Sequence, residues 1–367
     1  MRREPTLPRL ETSATNGRGL VVFIGIRDIR FAKGRFVLIC AVIAMMTFLV
    51  VALSALTNGL QNQSISAVSR LPGQTLVLRD TAGAEGPSLS QSELDESTVR
   101  RIVDENDGDA TELGVTTTRV AHGVISSTVA VFGAGVAVMP EPDVGGYPQS
   151  GGILLTREQA DDLGVGIGDP VTVGPSHLRV DGIGAAGDYA HTPVAYTTMD
   201  TWRALSHGQY ASAVVLAAGS TDAPETTSVP MSKAVDTVPG YRSEHGSLLA
   251  IQAMLLAISA LVIGTFFAVW TVQRLRDLAV VRALGANRWY LLRDGFGQAA
   301  LVLLAGETVG ALLGIGLSAA VSAAVPVALT AGGIALPLLA MTLLGSAGAL
   351  LAVRRVTVVD PVVAMSR

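Results

Sequence analysis

The sequence predicts an α-helical membrane protein with four transmembrane helices and an α+β domain inserted between the first and the second. Three observations lead there. Hydrophobic residues make up 49% of the 367 and charged residues only 15%, against about 25% charged in an ordinary globular chain. The apolar residues gather into four runs, each long enough for the roughly 20 residues that a helix needs to cross a bilayer. The net charge of −4 divides unevenly: residues 59–245 carry 10 Lys/Arg and 23 Asp/Glu, a balance of −13, and the rest of the chain balances at +9. Such an acidic block is a poor partner for nucleic acid. Cys40 is the only cysteine, which excludes a disulfide framework and a Cys-based zinc site.

Taken in order, residues 1–19 are polar and aperiodic, with four arginines, and read as a disordered cytoplasmic tail. A cleavable signal peptide fits poorly, because the first apolar run starts late and no small-residue cleavage pattern follows it. Residues 20–35 read as an amphipathic interfacial helix: Val22, Ile26, Ile29 and Ala32 recur at helical spacing, with Arg27, Arg30 and Lys33 on a neighbouring face. The expected spans are residues 36–58, 246–272, 295–325 and 333–353, and only the third contains an ionisable residue, Glu307. Arg27, Arg30, Lys33 and Arg35 precede the first span. Arg274, Arg276, Arg282, Arg288 and Arg293 separate the second from the third, and Arg354 and Arg355 open the tail 354–367. Basic residues stay inside. Both termini are therefore expected in the cytoplasm and the acidic block outside the plasma membrane.

That block, residues 59–245, alternates turn signals with short strand-like runs at 75–79, 115–121, 124–132, 171–173, 178–183 and 213–217. Ser90 is expected to cap a helix over 91–105, and Thr156 with Gln159 fits a capping box for a second. The Gly/Pro-rich stretches 82–87 and 141–152 read as loops.

The strongest charge–apolar patterning lies in residues 273–294, QRLRDLAVVRALGANRWYLLRD. Leu275, Leu278, Ala279 and Arg282 sit at helical spacing, Gly285 can end that helix, and Asn287 can start another. This segment closely resembles the "RxREhAhhRAhGAxR" stretch (h apolar) of MacB/FtsX-type permeases, the type VII ABC transporter fold, with Asp277 in place of the Glu. The closing VVDPVVAMSR and the inner LGVGIGDPVTVGPSHLRVDGIG are similar to other elements of that family, and the likeness covers essentially the whole chain. It implies that residues 273–294 form a cytoplasmic coupling helix, with Arg276, Asp277, Val280, Arg282, Ala283, Leu284, Gly285 and Ala286 docking on a separate ATPase. It further implies a homodimer of permeases with two ATPase copies, ATP-Mg being held by the partner. The residues agree with that division: the chain has no G-x-x-x-x-G-K-[ST] and not even a Gly-Lys pair, hence no P-loop. Within the family, residues 23–60 and YAHTPVAYTTMDTW most resemble actinobacterial haem-exporter (HrtB-like) and DevC-type permeases.

Several residues are candidates for a site. Glu307 lies deep in a span, where an acid faces a bundle interior or a cavity; packing and substrate contact are both open to it. Gly306, Gly310 and Gly314, continued by Ser318 and Ser322, form a small-residue stripe suited to close helix packing. Beside the second span stand Tyr241, Arg242, Glu244 and His245, with Met254 two turns in, and Asn58 and Gln61 follow the first span. His, Tyr and Met can ligate haem iron; each can equally anchor or fill a membrane helix. If the cargo is haem, Glu244 or His245 would supply an axial atom and Asn58, Gln61 or Arg242 would meet a propionate. The dimer would then supply the slot from Val51, Ala55, Met254 and Ile258 of both chains. His122, His177, His191 and His207 show no metal-ligand spacing, and no Ser-His-Asp arrangement is apparent, so the chain is expected to be non-catalytic, without a cofactor or metal of its own. Transmembrane signalling to cell-wall hydrolases, and export of peptides, glycolipids or antibiotics, remain open alternatives.

The topology is testable by thiol labelling. In a Cys40-free background, a cysteine at Ser150 or Ser220 should react with an impermeant thiol reagent in intact cells, and one at Ala286 should not. Labelling at 286 from outside would invert the arrangement.

Overall fold

The computed structural model describes residues 33–80, 86–106, 109–184, 187–273, 280, 285, 287–322 and 324–357. The tail 1–19, most of the expected interfacial helix and residues 358–367 lie outside these. The first helix, α1 (Lys33–Ser69), has 37 residues. At roughly 1.5 Å per residue it is about 55 Å long, against about 30 Å of hydrocarbon core. It therefore runs well beyond residue 58, where the apolar run stops and the span was expected to end. No proline interrupts residues 58–69, and Ile65, Ala67 and Val68 return an apolar face to the core of the inserted domain. Polarity ended the run but not the helix.

The inserted domain follows as β1 (Thr75–Arg79), α2 (Glu96–Glu105), β2 (Ala110–His122), β3 (Ile125–Ala134), β4 (Pro142–Gly145), β5 (Gly152–Thr156), α3 (Arg157–Leu163), β6 (Pro170–Val173), β7 (Ser176–Gly184), β8 (Asp188–Tyr189), β9 (Thr192–Thr197), α4 (Met199–Leu205), β10 (Ala213–Leu216) and β11 (Thr226–Pro230). The six expected strands are present within a residue or a few of their bounds. Strands β4, β5, β8, β9 and β11 were not anticipated, being short or lacking alternation. The capping box on α3 is complete: Gln159 N–H donates to the Thr156 hydroxyl and Thr156 N–H donates to the Gln159 side chain, each at 3.0 Å. The expected helix 91–105, by contrast, begins only at Glu96. Leu94 is paired with Ala211 through backbone hydrogen bonds in both directions, which holds the chain extended there. Asp95, not Ser90, is the cap. The Ser97 hydroxyl at 2.6 Å and the Thr98 N–H at 2.9 Å hold its carboxyl down at about 2.

The last three helices are α5 (Tyr241–Gln273), α6 (Arg288–Val321) and α7 (Ala331–Thr357). With α1 they are, among the described residues, the four helices long and apolar enough to cross a membrane. Helix α5 starts five residues before the expected span. Helix α6 stops four residues short of 325, because Ala328 N–H donates to the Ala55 carbonyl at 2.9 Å and the Pro326 carbonyl lies where a Cβ on Gly59 would be.

The chain divides into two compact bodies. One is helical and contains α1 up to Ser54, α5 from Gln252, α6 to Ala319 and α7. Its core joins Ile43 and Val50 of α1, Ile263 and Phe267 of α5, Val302 and Leu303 of α6 and Met341 of α7. The other comprises residues 55–251 with 320–330. Its sheet runs β11-β1-β10-β2-β3-β9-β5-β7-β4, with β6 bridging β2 and β7, and β8 pairing β9. Both faces are covered, as the alternation along β3 requires. Ala130, Phe132 and Ala134 enter a core shared with the end of α1 and the start of α5. Val129 and Val131 enter the opposite core, which Trp202 of α4 fills.

Trp202 is fully buried and occupies a slot that only glycine permits. Gly114 and Gly133 face each other across β2 and β3, and a Cβ on either would overlap the Trp202 side chain. Gly114→Ala or Gly133→Ala should therefore cost about 1–3 kcal/mol through overpacking, read as a lower thermal midpoint and altered tryptophan fluorescence. An unchanged midpoint would refute the slot.

Candidate functional site

In the helical body, the small-residue stripe of α6 meets α1 at backbone distance. A Cβ on Gly306 would come within 2.7 Å of Ile43, one on Gly310 would overlap the Ala44 carbonyl, and one on Gly314 would come within 2.9 Å of Val51. Glycine lets two helices approach this closely, and dispersion along the shared length then holds them in lipid. Glu307, one residue along from the stripe, is 5% exposed. Its Oε2 accepts the Thr342 hydroxyl of α7 at 2.6 Å, and among the described residues Oε1 has no partner. Helix α6 is thus tied to α1 by shape and to α7 by a hydrogen bond. Nearer the other end of α1, Gln252 of α5 donates to Ser54 at 2.5 Å.

In the second body, most of the expected binding residues gather where the end of α1, the start of α5 and the β8–β9 hairpin meet. Gln61 and His245 are hydrogen-bonded through Nε2 and Nδ1. Tyr241 stacks on the His245 ring, with centroids 5.4 Å apart and planes at 20°. Glu244 receives His191 Nε2 at 3.0 Å. Arg242 lies over Gly86, where a Cβ would stand 3.2 Å from its Nη1. Asn58 donates to Thr330 at 3.3 Å. In the same hairpin, burial pushes the Asp188 carboxyl up, the charge of Glu158 adds to this, and Arg70 and His191 pull it back.

Two features bear on the expected slot. Val51 is wholly buried against Gly314 and Ala55 is 2% exposed, whereas Met254 and Ile258 are 66% and 47% exposed. Within one chain, the glycine stripe of α6 covers Val51, and Met254 and Ile258 on α5 stay open. The second feature concerns His245. With the Gln61 amide donating to Nδ1, a neutral ring carries its proton on Nε2, which removes the lone pair that iron needs. Turning the Gln61 amide over would let Nδ1–H donate instead and would bare Nε2.

Of the expected coupling residues, Arg276, Asp277, Arg282, Ala283, Leu284 and Ala286 lie outside the described residues. Val280 is exposed, and Gly285 has φ +99° in a turn, a left-handed conformation that glycine adopts without a Cβ penalty. His191 and Thr342 were not singled out from the sequence as partners of Glu244 and Glu307. No local pattern marks them, since each contact joins residues more than 30 positions apart.

Residues 36–230 match a family model described as the MacB-like periplasmic core domain. Residues 249–361 match one described as FtsX-like permease C-terminal. A Staphylococcus haemolyticus protein, named provisionally as the hemin transport system permease HrtB, is 24% identical over 351 residues, 92% of this chain and 97% of that one. An uncharacterised ABC transporter permease of Mycobacterium tuberculosis is 26% identical over 357 residues, 94% of this chain and 99% of that one. The solved periplasmic region of MacB from Actinobacillus actinomycetemcomitans overlaps 46% of this chain and 94% of its own, at 11% identity and a TM-score of 0.35.

The stripe can be tested against a control on the same helix. Gly310→Leu should abolish the close approach to Ala44 and lower thermal stability in detergent, by about 1–3 kcal/mol or more. Gly316→Leu, where a Cβ meets nothing within 4 Å, should be tolerated. Equal effects of the two would remove the packing role.

Proposed function

Because this chain belongs to the MacB/FtsX family of ABC transporter permeases, we propose that it is the transmembrane subunit of an ATP-driven exporter that clears haem, or a similar amphiphile, from the membrane. The family implies a separate ATPase, and the chain has no Gly-Lys pair from which a P-loop could be built. The working unit in this reading is a homodimer with two ATPase copies and both termini in the cytoplasm. Closure of the ATPases on ATP moves residues 273–294, which tilts α1 and α5 and the domain attached to them. Transport requires two arrangements of the permease, which ATP and cargo favour unequally.

The observation that carries the haem reading is the similarity to the HrtB-named relative along nearly the full length of both chains. The cluster beside the start of α5 has suitable chemistry for such a cargo. Haem needs an apolar slot, one or two axial donors, and polar groups for its propionates. His245, once Gln61 releases or reverses its bond, offers a bare ring nitrogen. Glu244 offers an oxygen at the cost of its contact with His191. Asn58, Gln61 and Arg242 are the propionate partners in this reading, and Met254 the apolar neighbour one helical stretch along. Export of another amphiphile, or signalling to cell-wall hydrolases, would use the same coupling with a different readout.

Haem titration of the permease–ATPase complex tests this directly. A saturable Soret shift and a stimulated ATPase are expected. Glu244→Ala with His245→Ala should weaken binding by about tenfold or more, as loss of roughly 1.4 kcal/mol requires. A spectrum identical to that of free haem in detergent would remove haem as cargo. Binding unaltered in the double variant would remove the ligand assignment alone.

A further inference from the structure

Strands β8 and β9 are joined by a two-residue turn, since Tyr189 pairs with Thr192. Its two residues, Ala190 and His191, have φ of +47° and +60°. Hairpin turns of this kind favour Asn-Gly, because both positions are left-handed. An alanine there carries a Cβ in a region it rarely enters, and the strain persists only if the surroundings hold it. Among the described residues, no other pair of neighbouring non-glycine residues is left-handed.

What holds it comes from two different helices. On the α1 side, Ala190 N–H donates to the Ser64 carbonyl at 2.9 Å and His191 N–H to that of Gln63 at 3.1 Å. Asp188 N–H donates to the Ser66 hydroxyl at 2.8 Å, and Gly187 sits so close to Ala67 that a Cβ would come within 2.5 Å of its backbone nitrogen. On the α5 side the turn has, among the described residues, one hydrogen-bonded tie, His191 to Glu244, whose side chains are 38% and 50% exposed, beside the packing of Tyr241 in the core that holds Tyr189. Exposed ion pairs hold weakly. Three backbone donors and a close-packed glycine therefore oppose one solvated contact.

We propose that the Ala190–His191 turn is a strained latch between the continuations of α1 and α5, and that it opens on the α5 side, at His191–Glu244, when the two helices shift during transport. A relative movement of the helices must break the Gln61–His245 bond that joins them directly and one set of the turn's ties, and the weaker set yields. The turn then travels with α1, carrying the sheet through β9. His191 acts here as a positioning residue. The proposal rests on the reading of the chain as an ATP-driven permease.

Two cross-links in a Cys40→Ala background test it, using the permease–ATPase complex in lipid nanodiscs and ATP hydrolysis as the readout. Oxidising the pair His191→Cys/Glu244→Cys should lower the rate about tenfold or more by holding one arrangement, with recovery on reduction. Oxidising Ser66→Cys/Asp188→Cys on the α1 side should leave the rate unchanged. Full activity with the 191–244 cross-link, or failure of that pair to cross-link with either an oxidant or a short bis-maleimide, overturns the latch. Arrest by both cross-links overturns the assignment of the opening to the α5 side. Should the His191→Cys substitution prevent folding, His191→Asn keeps a residue tolerant of left-handed backbone and removes the tie. The basal rate should then rise about threefold or more as the closed arrangement loses support; an unchanged rate overturns the proposal. Absence of ATPase activity in the Cys40→Ala parent would count against the permease reading itself.

Discussion

The continuation of α1 beyond its apolar run is the constraint on which the inserted domain depends. A helix that leaves the hydrocarbon must find partners for its side chains, and α1 finds them in the sheet. Ala67, Val68 and Leu71 are buried in the same core as Phe132, Tyr189 and Tyr196, whose rings pack edge to face at 5.6 Å. Backbone donors from the β8–β9 hairpin then reach the helix at Gln63, Ser64 and Ser66. Ending the helix at residue 58 would leave that core open on one face and the hairpin turn without the contacts that keep it left-handed.

A different logic holds the helical body together. Lipid tails are as apolar as leucine, so burial supplies little drive there, and close approach with hydrogen bonding must substitute. Helix α6 combines the two on adjacent positions. Glycines at 306, 310 and 314 admit the backbone of α1, while Glu307 accepts the Thr342 hydroxyl of α7. An unpaired carboxyl in this setting is costly, which makes Thr342 as important to the packing as the acid itself.

The polar groups beside the start of α5 are paired across elements. His245, Glu244, Gln61 and His191 satisfy one another in pairs, so none is buried without a partner. In the proposed haem reading, a ligand on Glu244 would displace His191 and one on His245 would release or reverse the Gln61 bond, each partner belonging to a different element from the group that binds. In that reading, occupancy and contact between elements would be linked through shared atoms, which is the physical form that coupling takes.

Much of this was legible in the chain alone. Four apolar runs with a single acid among them, the placement of arginines between them, and the acidic block after the first specify a membrane protein with one large inserted domain, because span length and charge are local properties of sequence. The capping box at Thr156 was legible for the same reason, its two bonds closing within four residues. Other features required the tertiary structure. Residues 58–69 lie beyond the apolar run, and their helix shows itself only through its packing against the sheet. Ser90 looked like a cap until the pairing of Leu94 with Ala211 moved the helix start to Asp95. Val51 fell on a plausible binding face by spacing, yet Gly314 of α6, more than 250 positions away, packs against it. Ala190–His191 carries no turn signature at all, because its conformation is imposed by α1 and α5 and not by its own residues. Local periodicity and charge can be read one segment at a time, whereas contacts across hundreds of residues exist only once the chain has closed on itself.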